Sequence, residues 1–178
     1  GVASLTNCTI AQNSSGGNAG AGIYNQGTLT VVACTFTANQ AASAAGIYNY
    51  LGTVSLRNTI VADNLSVQYT PATDLYGTFV SAGHNLVSRT DGSSGINGTG
   101  DITGTMGSPQ TAYLSQLNTY RGPTPTCPPA AQFSAAVDAG DDALMNSPIN
   151  LLRDQTGRFR QYGYHVDIGA AEYIYPCS

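Results

Sequence analysis

One phrase occurs twice in this chain and limits its possible folds more than any other feature. The first copy begins at Gly22-Ile23-Tyr24-Asn25, and the second begins 24 residues later at Gly46-Ile47-Tyr48-Asn49. Each copy continues through a Gly-Thr step and ends at Asn39 or Asn64, and a partial copy upstream ends at Asn13. Self-similarity at a period of roughly 20–50 residues indicates an architecture of stacked repeats.

Within each copy, apolar and polar residues alternate with the two-residue period of a β-strand. One copy cannot bury its apolar row alone, whereas copies stacked in parallel about 4.8 Å apart can. The sequence therefore predicts an all-β fold, a right-handed parallel β-helix, in which like side chains form columns. The predicted columns are three apolar pairs and one asparagine ladder of stacked amides, namely Ile23 with Ile47, Leu29 with Val54, Val31 with Leu56, and Asn13 with Asn39 and Asn64.

Composition narrows the classes of partner. Charged residues make up 9% of the chain and the net charge is −4, which argues against nucleic acid because that partner requires a basic surface. The sequence has no run of about 18 apolar residues, so membrane insertion is not predicted. Low charge with abundant Thr, Ser, Asn and Gly favours an extracellular location. The chain opens at Gly1 within a coil, and we expect an upstream segment or another chain to cover this end.

The chain divides near residue 121, where prolines cluster and beyond which most of the charge lies. We interpret residues 1–120 as β-helix coils and residues 121–178 as a Pro- and Asp/Arg-rich cap packed on the helix, because a β-helix exposes strand edges at its open ends. The preferred interpretation of the cap pairs its aspartates with arginines to fix the path of the chain. The residues in this interpretation are Asp138, Asp154 and Asp167 with Arg153, Arg158 or Arg160.

Metal and cofactor sites are not predicted, with one calcium candidate as the alternative. Asp138, Asp141 and Asp142 could ligate calcium through carboxylates and backbone carbonyls. They lack the spacing of a known calcium loop. His84 and His165 are the only histidines and no Cys-x-x-Cys occurs, which disfavours zinc.

The four cysteines form two pairs by position. Cys8 and Cys34 occupy equivalent inward places in successive copies, where stacked free thiols and a disulfide both remain open, since the neighbours are close but their side chains point the same way. Cys127 and Cys177 lie in the non-repeating part. A bridge between them is the favoured pairing, and it implies an oxidising compartment.

The coil phrase resembles large bacterial surface proteins with right-handed parallel β-helix repeats. The later part of the chain resembles their last coil and the C-terminal segment of the choice-of-anchor Q group, through the segments Asp74–Phe79, Gly83–Val87, Gly122–Thr126, Ala136–Asp141, Asp154–Arg158 and Asp167–Tyr173. This resemblance implies secretion, an extracellular or cell-surface location, and a role as adhesin, stalk or envelope component.

Three functions are compatible with these patterns. The favoured one is a non-enzymatic structural solenoid without catalytic residues, whose partners are host or environmental glycans or other copies of itself stacked head to tail at the open N-terminal coil. The second is a polysaccharide lyase or hydrolase that uses Asp63 and Asp74 with Arg57 and Arg89. The third is a glycan-binding module with a flat Thr/Tyr face.

Four Asn-x-Ser/Thr sequons offer candidate glycosylation sites. Asn13 and Asn64 belong to the predicted ladder, which argues against modification there. Asn7 and Asn97 are the better candidates.

Overall fold

The fold repeats a unit of short parallel strands separated by sharp bends. The computed structural model describes residues 1–68, 73–120 and 122–174. Its helical part is a 3-10 turn at Asp142–Met145. In chain order the strands are β1 (Val2–Thr6), β2 (Thr9–Ala11), β3 (Ile23–Asn25), β4 (Thr28–Val32), β5 (Thr35–Thr37), β6 (Gln40–Ala41), β7 (Ile47–Asn49), β8 (Thr53–Arg57), β9 (Ile60–Ala62), β10 (Leu65–Ser66), β11 (Leu75–Ser81), β12 (Leu86–Val87), β13 (Ser93–Ser94) and β14 (Ile102–Thr103).

The strands form three parallel sheets that run along the stack. One sheet has the order β1-β4-β8-β11-β7-β3 with β13 beside β11, the second has the order β14-β12-β9-β5-β2, and the third pairs β10 with β6. We number the coils by their strands: the first holds β1 and β2, the second β3 to β6, the third β7 to β10, the fourth β11 and β12, and the fifth β13 and β14. The predicted parallel β-helix is confirmed.

Two columns of left-handed residues make the bends on either side of the second sheet. A positive φ is uncommon for a residue other than glycine, yet it recurs here at equivalent places in successive coils. Because every coil turns at the same place, the strands that follow stay in register. The first column is Asn7, Ala33, Asn58 and Gly83, with φ of 54°, 50°, 51° and 95°, and the second is Gln12, Ala38 and Asp63, with φ of 59°, 54° and 60°.

The interior of the stack is filled by columns of apolar side chains. Ile23 lies beside Ile47 and Ile47 beside Leu75. The same sheets align Leu29 with Val54 and Val31 with Leu56. The buried members of this core are Leu29, Val31, Cys34, Phe36, Ile47, Val54, Leu56, Val61, Leu75, Phe79 and Val87.

A second apolar cluster lies on the outer face of the second sheet. Since alternate residues of a strand face opposite sides, Ile60 and Leu86 point outward where Val61 and Val87 point into the core. The outward residues pack against Ala112, Ala136 and Ile168 of the later chain, and the full cluster is Ile60, Ala62, Leu86, Ala112, Ala136 and Ile168.

The later part of the chain therefore runs along the flank of the stack, where it contacts several coils. The Thr9 hydroxyl of the first coil donates to Gln155 at 2.7 Å, and the Ala170 N–H donates to the Thr35 hydroxyl of the second coil at 3.0 Å. In the fourth coil, His84 Nδ1 lies 2.9 Å from the Ala139 carbonyl oxygen.

This flank segment begins earlier than the predicted boundary at residue 121. The last described strand ends at Thr103, and Ala112 already belongs to the outer apolar cluster. Leu114 then pairs with Pro129 in an antiparallel bridge. Ala112 and Leu114 thus cover the sheet from outside instead of adding a coil. Within the described residues, no helix has the length and apolarity needed to cross a membrane.

Candidate functional site

The predicted asparagine ladder is a continuous chain of hydrogen bonds with one direction. The backbone N–H and the side-chain Nδ2 of Asn13 both donate to Asn39 Oδ1, at 3.1 and 2.9 Å. Asn39 repeats this toward Asn64 Oδ1 at 3.2 and 2.8 Å. Asn64 repeats it toward Asp74 Oδ1, at 3.0 Å in both bonds. Along the ladder, each asparagine therefore donates to the side chain of the next coil toward the C-terminus. The Nδ2 groups of Asn39 and Asn64 also donate back to carbonyl oxygens of the preceding coil, at Ile10 and Phe36.

Asp74 ends this ladder because a carboxylate accepts hydrogen bonds and, when ionised, has none to donate. Its second oxygen accepts Arg89 Nε at 3.0 Å, and Arg89 also donates to the Asn64 carbonyl oxygen. The side chain of Asp74 is fully buried. Burial raises the pKa of Asp74, while Arg89 and Asn64 oppose that rise. Asp74 was a candidate catalytic residue in the sequence, and its carboxylate is occupied by hydrogen bonds within the stack of coils.

In a second column of polar residues, which the sequence analysis missed, each coil likewise donates hydrogen bonds to the next coil. The Cys34 N–H donates to the Thr59 hydroxyl at 3.4 Å, and the Thr59 N–H donates to Asn85 Oδ1 at 3.1 Å. Asn85 donates from N and Nδ2 to Asp101 Oδ1 at 2.9 and 3.0 Å. The sequence contained a signal for this column, because each member directly precedes the strand that its coil contributes to the second sheet, which is β2, β5, β9, β12 or β14.

Cys8 and Cys34 are the first members of that column and are free thiols. Each Sγ donates to the carbonyl oxygen two residues earlier, at 3.2 and 3.3 Å, and the Thr59 hydroxyl makes the same bond at 3.0 Å. The thiols therefore occupy a hydroxyl position in the repeat. Burial raises the pKa of the Cys34 thiol to about 12.

Among the described residues, Cys127 is buried and has no disulfide partner, and burial raises the pKa of its thiol to about 11. Its predicted partner, Cys177, lies outside the described residues. The Cys127–Cys177 bridge stays a prediction, which thiol titration of the unfolded chain tests.

The tyrosines of the repeat form a stacked column on the outside of the coils. The rings of Tyr24 and Tyr48 lie 5.4 Å apart with 4° between their planes, and those of Tyr48 and Tyr76 lie 4.7 Å apart with 12°. Tyr50 leans against two of them at 6.1 and 6.5 Å. The rings cover one another's faces, so mainly ring edges are presented to the solvent.

The calcium candidate, Asp138-Ala139-Gly140-Asp141-Asp142, makes contacts within the protein. Asp141 pairs with Arg57 at 2.5 Å. Burial favours the protonated form of Asp141, but Arg57 outweighs it and holds the pKa below its ordinary value. Asp142 pairs with His165 Nδ1 at 2.7 Å. In the part of the chain that the structure describes, no three His, Cys, Asp or Glu residues are placed to hold a metal ion.

Arg160 is the centre of the flank segment and is completely buried. Its Nη1 donates to Glu172 Oε1 at 3.0 Å and to the Gly169 carbonyl oxygen at 3.1 Å. Its Nη2 donates to Asn7 Oδ1 in the first coil. Asn7 in turn donates from Nδ2 to the Arg153 carbonyl oxygen at 2.7 Å. Asn7 thus has both ends of its amide bound, whereas the other glycosylation candidate, Asn97, is exposed.

The expected pairing of cap aspartates with cap arginines is corrected in detail. Arg160 pairs with Glu172. Asp154 Oδ1 instead accepts the backbone N–H groups of Thr156 and Arg158, at 2.9 and 3.0 Å. Asp167 likewise accepts backbone N–H groups, from residues 138 and 173. Asp154 thus binds donors of the turn that follows it, and Asp167 joins two separate stretches of backbone.

A groove runs along the flank beside the second column of bends. Its floor contains Gln12, Ala38, Asp63 and Arg89 from four successive coils, and its opposite wall is formed by residues 106–117. Two cavities, of 390 and 220 Å³, make up the groove and share Asp63. Asp63 is exposed. Partial burial raises its pKa, and Arg89 opposes that rise.

Comparison with protein-family models, with curated proteins and with solved structures gave no match. The resemblance to bacterial surface proteins with a choice-of-anchor Q segment therefore stays a prediction. What the protein can do is inferred below from its own geometry.

Proposed function

We propose that this protein is a non-enzymatic structural β-solenoid that acts outside the cell or at its surface, as an adhesin, a stalk or a filament subunit. The observation that supports this most is the use of the coil side chains. The recurring asparagines donate to and accept from neighbouring coils. Both polar columns end in an aspartate that accepts the last donors. Side chains used in this way stiffen a rod and are withdrawn from chemistry on a substrate.

The enzyme alternative is less well supported because three of its four candidate groups are occupied. Asp74 is buried and bound to Arg89, and Arg57 is bound to Asp141. Asp63 is the member that stays exposed. Hydrolysis by paired carboxylates requires two carboxyl groups flanking the scissile bond, and the burial of Asp74 removes the second.

Assembly is proposed at the N-terminal edge of the stack. Among the described residues, β1 pairs with β4 and β2 with β5, and their other edges carry no strand. Leu5, Cys8 and Ile10 are partly buried members of the core at this end. Unpaired backbone groups beside apolar side chains favour the addition of another strand. A coil of a second copy that stacks there would give the head-to-tail arrangement.

Two measurements test this function. Incubation with neutral and acidic polysaccharides, followed by assays for reducing ends and for unsaturated products, is expected to show no turnover. Turnover that disappears in Asp63→Asn would contradict the proposal.

Sedimentation and electron microscopy over a range of concentrations test assembly. We expect filaments or higher oligomers that Ser4→Lys on β1 prevents, because a lysine blunts a strand edge. Ser55→Lys is the matched control, since Ser55 stands two coils further along the same column. Monomers at every concentration would overturn the assembly proposal while leaving the absence of turnover as a separate result.

A further inference from the structure

We propose that the groove over Asp63 binds an extended, uncharged glycan chain. This inference deepens the proposed surface role by naming a class of partner, and it rests on that role because a structural rod at the cell surface needs a binding site to act as an adhesin. The site lies on the flank of the stack and is separate from the N-terminal edge proposed for assembly.

The shape of the groove suits a chain better than a compact small molecule. Gln12, Ala38 and Asp63 directly follow residues that are aligned in register between β2, β5 and β9. Arg89 continues this line in the fourth coil, beyond β12. Three coil spacings of about 4.8 Å give a floor about 14 Å long. The two cavities along it lie within or near the volumes typical of ligand sites.

The lining offers the hydrogen-bonding groups that sugar hydroxyls require. Gln12, Gln110 and Gln116 line the groove, and each amide can donate and accept. Asp63 adds an acceptor in the middle, where the two cavities meet. Met106, which is 51% exposed, provides an apolar surface for the C–H groups of a sugar ring.

Charge selects a neutral chain over a polyuronate. The guanidinium of Arg89 lies against the Asp74 carboxylate at 3.0 Å, so its positive charge is balanced within the stack. Asp63 is the other charged group of the groove lining, and its carboxylate lies where the two cavities meet. A uronate chain would place like charges beside Asp63, whereas a neutral chain would not.

The tyrosine column is a weaker candidate for the same ligand. A sugar ring stacks on the face of an aromatic ring, but the faces of Tyr24, Tyr48 and Tyr76 are stacked on one another. The groove is therefore the surface that fits an extended glycan.

The experiment uses the whole chain on an array of neutral oligosaccharides and polyuronates, followed by calorimetric titration with the best neutral hexasaccharide. We expect binding to neutral chains and about a tenfold loss of affinity in Asp63→Asn and in Gln116→Ala, the size of one lost hydrogen bond to sugar. Asn tolerates the left-handed backbone at residue 63, so this variant should fold. Gln26→Ala is the matched control, because Gln26 is exposed outside the groove, and its affinity should be unchanged.

The outcomes separate this inference from the proposed function. No binding across the array, equal affinity in the groove variants and the wild type, or preference for polyuronates would overturn the groove assignment. Binding accompanied by turnover would instead overturn the non-enzymatic function and leave the groove as the site of the glycan.

Discussion

The coils and the part of the flank segment from residue 122 to residue 174 are held together in contrasting ways. In the coils, the asparagines of the ladder repeat the same bonds from one coil to the next, as Asn39 and Asn64 do. The flank segment has no repeat and depends on one buried guanidinium, Arg160, which joins Glu172 to Asn7 of the first coil. Repeated amides connect successive coils, whereas the later segment depends on one buried guanidinium that occurs once.

This difference predicts how each region responds to change. Bonds repeated along a column are individually replaceable, since neighbouring coils keep their own contacts. A single buried guanidinium cannot be replaced by its neighbours, because removing it leaves its buried hydrogen-bond partners without a donor. Substitutions in the flank segment should therefore cost more than equivalent ones in the coils.

The largest effect is expected for Arg160→Met. The change leaves the Glu172 carboxyl buried without its partner, and we expect a loss of about 3–5 kcal/mol in the free energy of unfolding. Urea unfolding measures the loss. The control is Arg153→Met, since Arg153 is exposed and stacks on Phe159 at 4.4 Å, and it should cost about 0.5–1 kcal/mol. Equal costs for the two variants would show that the contribution of Arg160 does not come from its burial beside Glu172.

A middle effect is expected for Asn39→Ala in the asparagine ladder. The substitution removes the acceptor of both Asn13 donors and removes the Nδ2 donor from Asn64 Oδ1 and from the Ile10 carbonyl oxygen. Asn64 Oδ1 keeps the backbone N–H of residue 39, and the loss should cost about 1–3 kcal/mol. Asn13→Ala, at the exposed end of the same column, should cost less than about 1 kcal/mol. A cost at residue 13 as large as that at residue 39 would show that burial does not set the value of a ladder position.

The pH dependence of stability should come largely from the flank segment. Burial raises the pKa of Asp167 from 3.8 to about 6, so between these values the folded state binds more protons than the unfolded state. The contribution of Asp167 to the free energy of unfolding is thus fully present below pH 3.8. It is lost as the pH rises through about 6, at up to about 1.4 kcal/mol per pH unit. Burial also raises the pKa of Glu172, to about 9, and continues the same trend.

Urea unfolding at pH 4, 5, 6 and 7 measures this slope. Asp167→Asn should make this slope shallower between pH 4 and 6, while Glu172 continues to contribute to it. A slope that is the same in Asp167→Asn and the wild type would assign the pH dependence to other groups.

The smallest effect is expected for Cys34→Thr. Thr59 occupies the next place in the same column and makes the same bond to the carbonyl two residues earlier. The free energy of unfolding should therefore change by less than about 1 kcal/mol. Cys34→Leu, which overfills the place, should cost about 1–3 kcal/mol. A large loss of unfolding free energy in Cys34→Thr would show that the thiol makes a contribution that a hydroxyl at the same position cannot replace.

Much of the coil region could be predicted because repetition is visible in the sequence. The offset between the two Gly-Ile-Tyr-Asn phrases aligned Ile23 with Ile47 and Leu29 with Val54, as the strands pair. The alternation of residues likewise placed Tyr24 on the outside, where its ring is half exposed. The Thr59–Asn85–Asp101 column was harder to find, since its members differ in type although they share a position.

The sequence by itself determined the period, the parallel stacking and the inward rows, because these depend on local alternation repeated at a fixed offset. Only the tertiary structure decided the path of residues 104–120 and 122–174. It also decided the pairing of Arg160 with Glu172 and the end of each polar column at Asp74 or Asp101. Those contacts join residues far apart in the chain and occur once each. No periodic pattern in the sequence predicts these contacts. Their partners depend on which donors and acceptors lie within hydrogen-bonding distance in the folded chain.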